Sequence, residues 1–207
     1  SSIMDLFDPE FRGRVALLSE MRDTVGLVML GLGHDPSVLD IDGAMEAIEF
    51  LEQQKANGQI RSFTGNEYMD ELKNGNLVAC IGWSGDVFQL KYEMDVEYVI
   101  PEEGAISWYD TMVLPKQAAN GVAAAAWMNF VYDPVQAAQL TAWVQYLTPV
   151  KGVRDELVRL GGDYAELADS NILFPDEETT ARLHSFVALS DEDERTLNTA
   201  FQRLMGN

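Results

Sequence analysis

Leu77-Val-Ala-Cys-Ile-Gly-Trp-Ser-Gly-Asp86 decides the reading of this chain. The run from Leu77 to Gly82 is apolar or small throughout, then passes into a glycine-flanked tryptophan and an acid. A buried strand ends in this way at a ligand cleft in an open α/β sheet. A second ending of the same kind lies at Ile106-Ser-Trp-Tyr-Asp110. Each places an indole two or three residues before a carboxylate, and an aromatic face beside an anion suits an organic ammonium ion. The chain reads as a binder of such cations.

Composition narrows the partners. With 207 residues, 47% of them apolar, the chain can build a substantial core. Acids outnumber bases 34 to 14 for a formal charge of -20. That balance excludes nucleic acid and anionic membrane surfaces as natural partners and favours cationic ligands. A surface adapted to high salt would carry the same imbalance, so the charge alone identifies nothing. The single cysteine, Cys80, cannot form an intrachain disulfide and sits in an apolar run. No stretch approaches the roughly 20 apolar residues of a membrane span, and the first residues lack the basic-then-apolar pattern of a signal peptide.

Taken in order, the chain alternates strands and helices, which is α/β in kind. Asp5 to Gly13 reads as a helical turn with Asp8 capping ahead of Pro9, and 14–18 as a short buried strand. A helix follows to Leu32, with Glu20 and Asp23 on one face of its first turn. Acids there also serve simply as dipole partners. Apolar residues at Ile41, Met45, Ile48 and Leu51 mark an amphipathic helix over 41–54. Strands are expected at 60–63, 77–82 and 96–100, helices at 67–74 and 86–92, and an extended run at 111–115. Helices are expected at 121–132 and 134–144, the latter capped by Asp133 with Pro134 at its first position. Further helical pieces are expected at 151–160, 176–187 and 190–205. Asp191 to Glu194 fit a capped N-terminus and carry no site role. Trp127 and Trp143 fall in helices and read as packing residues.

The order of motifs resembles a known family. Asp5-Leu-Phe-Asp-Pro-Glu-Phe-Arg-Gly13, the strand leading to Glu20-Met-Arg-Asp23, Asn74-Gly75 before Ile81-Gly-Trp-Ser-Gly-Asp86, and Tyr98-Val-Ile-Pro-Glu-Glu-Gly104 are similar to the polyamine-binding proteins of bacterial ABC importers. Trp108-Tyr-Asp110 with Met112-Val-Leu-Pro115, Asn129 to Pro134, Tyr146-Leu-Thr-Pro149 and Phe174-Pro175 continue the likeness across essentially the whole chain. The likeness to the putrescine and spermidine receptors is close.

It implies a type II periplasmic binding protein, present as one complete lobe plus part of a second. The expected division is an α/β lobe over 1–107, part of the N-terminal lobe over 108–149, and C-terminal helices over 150–207 returning to the first lobe. In that family a polyamine lies extended, its methylenes against aromatic rings and its ammonium groups on carboxylates. Carried over, Trp83 and Trp108 match aromatic walls. Glu20, Asp23, Asp86 and Asp110 match carboxylates for amines, and Tyr146 matches a cleft tyrosine. Thr64 and Gly65 stand where the family often has a serine contact. The implied partners are the polyamine and the membrane permease of an ABC importer, in the periplasm or tethered outside a Gram-positive cell, with no cofactor. Members begin with a segment of about one hundred residues, most of a lobe in domain-size terms. The opening residues here match a point beyond it, so the resemblance implies a fragment or incomplete product, with apolar surface near 111–144 open to self-association.

Other readings compete. Gly82-Trp-Ser-Gly-Asp86 resembles the nucleophile elbow of a serine hydrolase, with Ser84 as nucleophile and His184 downstream. An elbow needs glycine where Asp86 stands, however. Two histidines and one cysteine are a poor zinc set. The same fold could take iron, thiamine or phosphonates, but an anion would want Arg or Lys where these positions hold acids.

Overall fold

The computed structural model describes residues 1–206. It divides into two compact units: Ser1–Trp108 together with the stretch from Ala181 onward, and Tyr109–Thr180.

The first unit opens with two 3-10 turns, Ile3–Phe7 and Pro9–Phe11. Asp8 caps the second, its carboxylate accepting from the Glu10 amide at 2.8 Å with Pro9 at the first position. Strand β1 (Val15–Leu18), helix α1 (Met21–Gly31), helix α2 (Ile41–Ala56) and strand β2 (Ile60–Thr64) follow. Then come α3 (Tyr68–Lys73), β3 (Ala79–Cys80), α4 (Ser84–Leu90) and β4 (Ala105–Ile106). The sheet runs β2-β1-β3 with every pairing parallel, Val15 opposite both Ile60 and Ala79. All four residues of β1 are buried, as a central parallel strand covered on both faces demands. Burial of Val15, Leu17 and Leu18 contributes on the order of 6 kcal/mol before chain entropy is charged against it.

The second unit is helical: α5 (Gly121–Val131), α6 (Pro134–Val144), α7 (Val153–Leu160), α8 (Asp163–Ala168) and the short α9 (Glu177–Thr180). Asp133 caps α6 as expected, accepting from the Val135 amide at 3.0 Å and the Gln136 amide at 3.3 Å. Its small core joins Ala137, Ala138, Val153, Leu157 and Ala168. Within this unit α5 buries nothing, and Trp127 and Trp143 are 61% and 84% exposed. They are therefore not packing residues here, because the core forms on the α6–α7–α8 side. Helix α8, which carries no clear apolar stripe, was not expected from the sequence.

The chain re-enters the first unit through β5 (Leu183–His184), which pairs in parallel with β4, and ends in α10 (Asp191–Met205). Leu197, Ala200, Phe201 and Leu204 lie three and four residues apart and fill one core with β1, α1 and α2. Ser190 caps α10, its hydroxyl accepting from the Asp193 amide at 3.2 Å, with acids at 191–194 in the first turn.

Several boundaries differ from expectation. The return to the first unit comes at Ala181 rather than near 150, because α7 packs on α6 and α8. The helix expected over 176–187 stops at Thr180, and Leu183–His184 extend to meet β4 instead. Residues 96–100 form no ladder among the described residues. The carbonyls of Ile100 and Pro101 instead accept from Arg182 Nη1 at 3.4 and 3.3 Å. The β3 ladder is two residues long, although the Val78 amide donates to Arg14 O and the Ile81 amide to Ala16 O on either side of it.

Two predictions follow from this packing. Gly104 has φ +113, and a Cβ there would collide with the backbone carbonyl of Arg182 just where β4 meets β5. Gly104→Ala should cost roughly 2–4 kcal/mol, from a left-handed backbone and an immovable neighbour together. Denaturant titration would measure it. His34 lies 3.0 Å from Glu46 Oε2 and 3.0 Å from Asp40 Oδ2. Glu46 first, then Asp40, raises its pKa above 6.5. The clasp therefore stabilises below the unfolded value and is lost as pH rises through the folded one. Thermal melts across that range should show a pH-dependent difference between wild type and His34→Gln, worth under about 1 kcal/mol for so open a pair.

Candidate functional site

Three parallel strands necessarily deliver their C-terminal ends to the same edge of the sheet, where ligands of open α/β sheets bind. β1 ends at Ser19-Glu20, β2 at Thr64-Gly65-Asn66, and β3 at Ile81-Gly82-Trp83. The Ser19 amide donates to Thr64 O at 2.8 Å, tying the first two ends together. Asp23 stands in the first turn of α1, Asp86 in that of α4, and Trp83 is the N-terminal flanking residue of α4 in extended conformation.

A chain of hydrogen bonds joins these groups. The Trp83 indole N–H donates to Asp23 Oδ2 at 3.0 Å. The Trp83 backbone N–H donates to the Tyr68 hydroxyl at 3.0 Å, and that hydroxyl donates to Asp86 Oδ2 at 2.7 Å. Asn66 Nδ2 donates to the same carboxylate oxygen at 2.6 Å. The Tyr68 and Trp83 rings meet edge-on, with centroids 6.3 Å apart. Trp83 is thus held at its backbone and at the tip of its ring.

Electrostatically the rim is negative and partly dry. Burial raises the Asp23 pKa above 3.8; the indole hydrogen bond opposes that, and the neighbouring Glu20 charge adds to it. Burial likewise raises the Tyr98 phenol, with the Asp23 charge contributing, which puts Tyr98 within electrostatic reach of the same carboxylate. A carboxylate in that condition gains from a cation that replaces its lost hydration.

The expected residues fare differently. Glu20, Asp23, Trp83 and Asp86 all lie along this edge of the first unit. Glu20 is exposed and Asp23 half-buried, and both fit an ammonium partner. Asp86, expected to face an amine, is 8% exposed, and its Oδ2 accepts from Asn66 and Tyr68. Trp108 follows β4 in the first unit and is 43% exposed. Asp110 and Tyr146 belong to the second unit, Asp110 exposed and Tyr146 half-buried just beyond α6. Thr64 spends its hydroxyl on the Gly65 carbonyl at 3.1 Å.

Sequence reasoning missed Asn66, Tyr68 and Tyr98. Asn66 and Tyr68 were read only as part of a loop and a helix, and Tyr98 opened a motif quoted for the resemblance but was given no role at the site. A hollow of about 300 Å3 lies against the edge strand β2, lined by Ser19, Lys55, Arg61, Phe63 and neighbours. It contains none of the expected ligand residues.

The hydrolase reading gains nothing. His184 Nδ1 lies 3.4 Å from Asp35 Oδ1 at the end of β5, and Asp86 occupies the position an elbow reserves for glycine. Burial pushes the Cys80 thiol up to about 12, leaving no thiolate near neutral pH.

Comparison with known proteins agrees with the fold. The putrescine-binding periplasmic protein SpuD of Pseudomonas aeruginosa is 28% identical over 92% of this chain and 52% of its own length. The putrescine-binding periplasmic protein PotF of Escherichia coli is 26% identical over 92% and 51%. A solved Listeria monocytogenes structure, provisionally assigned as a spermidine/putrescine ABC transporter, superposes with a TM-score of 0.84 at 27% identity, covering 98% of this chain and 61% of that one. The chain spans about half the length of the curated relatives it matches. The pattern defining the bacterial extracellular solute-binding proteins matches residues 1–168, most of the sequence. The chain belongs to that family and has its periplasmic-binding-protein α/β fold.

Proposed function

We propose that this chain is the ligand-binding part of an ABC importer's receptor for polyamines of the putrescine and spermidine kind. The observation that carries the reading is the Trp83–Asp23 pair, an indole locked beside a half-buried carboxylate with Glu20 next to it, on the ligand-binding edge of a parallel sheet. Alkyl diamines carry two charges that stay hydrated unless each meets an anion, while their methylenes prefer a flat apolar face. A cation–π contact adds about 0.5–2 kcal/mol, so the carboxylates must supply much of the rest. The names of the relatives point to the same ligands.

Trp108, Asp110 and Tyr146 enter this proposal as further ligand contacts. The permease of the importer is the proposed protein partner, and the space outside the cytoplasmic membrane the proposed location. No helix among the described residues is long and apolar enough to cross a membrane. The exposed apolar face of α5, carrying Val122, Trp127 and Phe130, supports self-association as a further property, and sedimentation velocity over a concentration series would detect it.

Calorimetry should show putrescine or spermidine binding in preference to 1,4-butanediol, with Trp83→Ala losing about tenfold or more in affinity, ~1.4 kcal/mol. Equal response to the diol would sink the reading.

Asp23 also sets a pH dependence. Its raised folded pKa means its own contribution to the unliganded fold is greatest below 3.8 and lost as pH rises through the folded value. Ammonium binding wants the opposite, ionised form. Polyamine affinity should therefore begin to fall, on acidification, at a pH above that of an ordinary aspartate, and Asp23→Asn should flatten the profile.

A further inference from the structure

The geometry points to Tyr68 as the positioning residue of this site, orienting the Trp83 indole from beneath; we draw this inference on top of the proposed binding function. Tyr68 is fully buried at the start of α3 and cannot touch a ligand in bulk solvent directly. Its hydroxyl has one proton, which goes to Asp86 Oδ2 at 2.7 Å, so its lone pairs are left to accept the Trp83 backbone N–H at 3.0 Å. Asn66 completes the arrangement by donating to that same Asp86 oxygen. Asp86 thereby fixes the phenol, and the phenol fixes the peptide from which the indole projects. At its other end the indole is held by Asp23.

A second observation supports this independently. Gly82 does not have a positive φ, so its glycine is not explained by backbone conformation. A Cβ there would lie 3.1 to 3.4 Å from Cε2, Cζ and the hydroxyl of Tyr68. Glycine at 82 thus lets the phenol lie directly against the turn between β3 and α4. Glycine at 82 admits the tyrosine, and the buried Asp86 acts on the indole through Tyr68.

The test uses the indole N–H signals of the four tryptophans in proton–nitrogen NMR of the unliganded chain, with the Trp83 signal assigned by Trp83→Phe. Tyr68→Phe should shift the Trp83 signal while leaving those of Trp127 and Trp143 in place, and should weaken putrescine binding about fivefold, the worth of one lost hydrogen bond. If Tyr68→Phe does not fold, Gly82→Ala keeps the hydroxyl but displaces the ring, and the same selective shift is expected. A folded variant of either kind with an unmoved Trp83 signal overturns the inference. So does a uniform change across all indoles, which marks general loosening. Because the spectra need no ligand, failure of the wild type to bind putrescine would count against the proposed function alone.

Discussion

Everything in the first unit depends on β1 being paired on both sides in parallel and buried on both faces. A strand in that position has no solvent-facing alternative, so its register is fixed by Val15, Leu17 and Leu18 together. Once it is fixed, the three strand ends lie side by side, and residues separated by 60 positions, Asp23 and Trp83, come within hydrogen-bonding distance. The core also reaches into the site, since Tyr68 belongs to it and Trp83 packs against it.

The proposed site is a compromise between holding and binding. An indole placed over a cation should not wander, yet the groups that hold it must not be consumed by holding it. Asp23 gives one oxygen to the indole N–H and remains half-buried beside Glu20, a condition that favours an incoming positive charge. Asp86 is spent differently. Buried and loaded by Asn66 and Tyr68, it stiffens the turn from behind. Two aspartates, each at the third position of its helix, thus differ in burial and in partners.

How much of this could be read from sequence depended on whether the information was local. The stripe Ile41, Met45, Ile48, Leu51 located α2, and Asp133-Pro134 located the start of α6, because periodicity and capping act within a few residues. The strand expected at 96–100 and the helix expected at 176–187 failed for the opposite reason. Arg182 and the pairing of β4 with β5 decide those segments, and both are contacts between residues about 80 apart. Tyr68 was invisible likewise, since its significance lies in a hydroxyl meeting Trp83 and Asp86 across the sheet edge. The acids were conspicuous from composition, but burial alone distinguishes Asp86 from Glu20.

The β4–β5 ladder has a topological corollary. It sets Ile106 beside His184, with the Ser107 amide donating to His184 O at 2.7 Å, so the strand by which the chain leaves the first unit lies beside the strand by which it returns. Because the two strands run parallel, Tyr109–Thr180 is an insertion that leaves at one end of the ladder and returns at the other. A hairpin turn could not replace such a crossover, so any shortened insert would still have to span the length of the ladder.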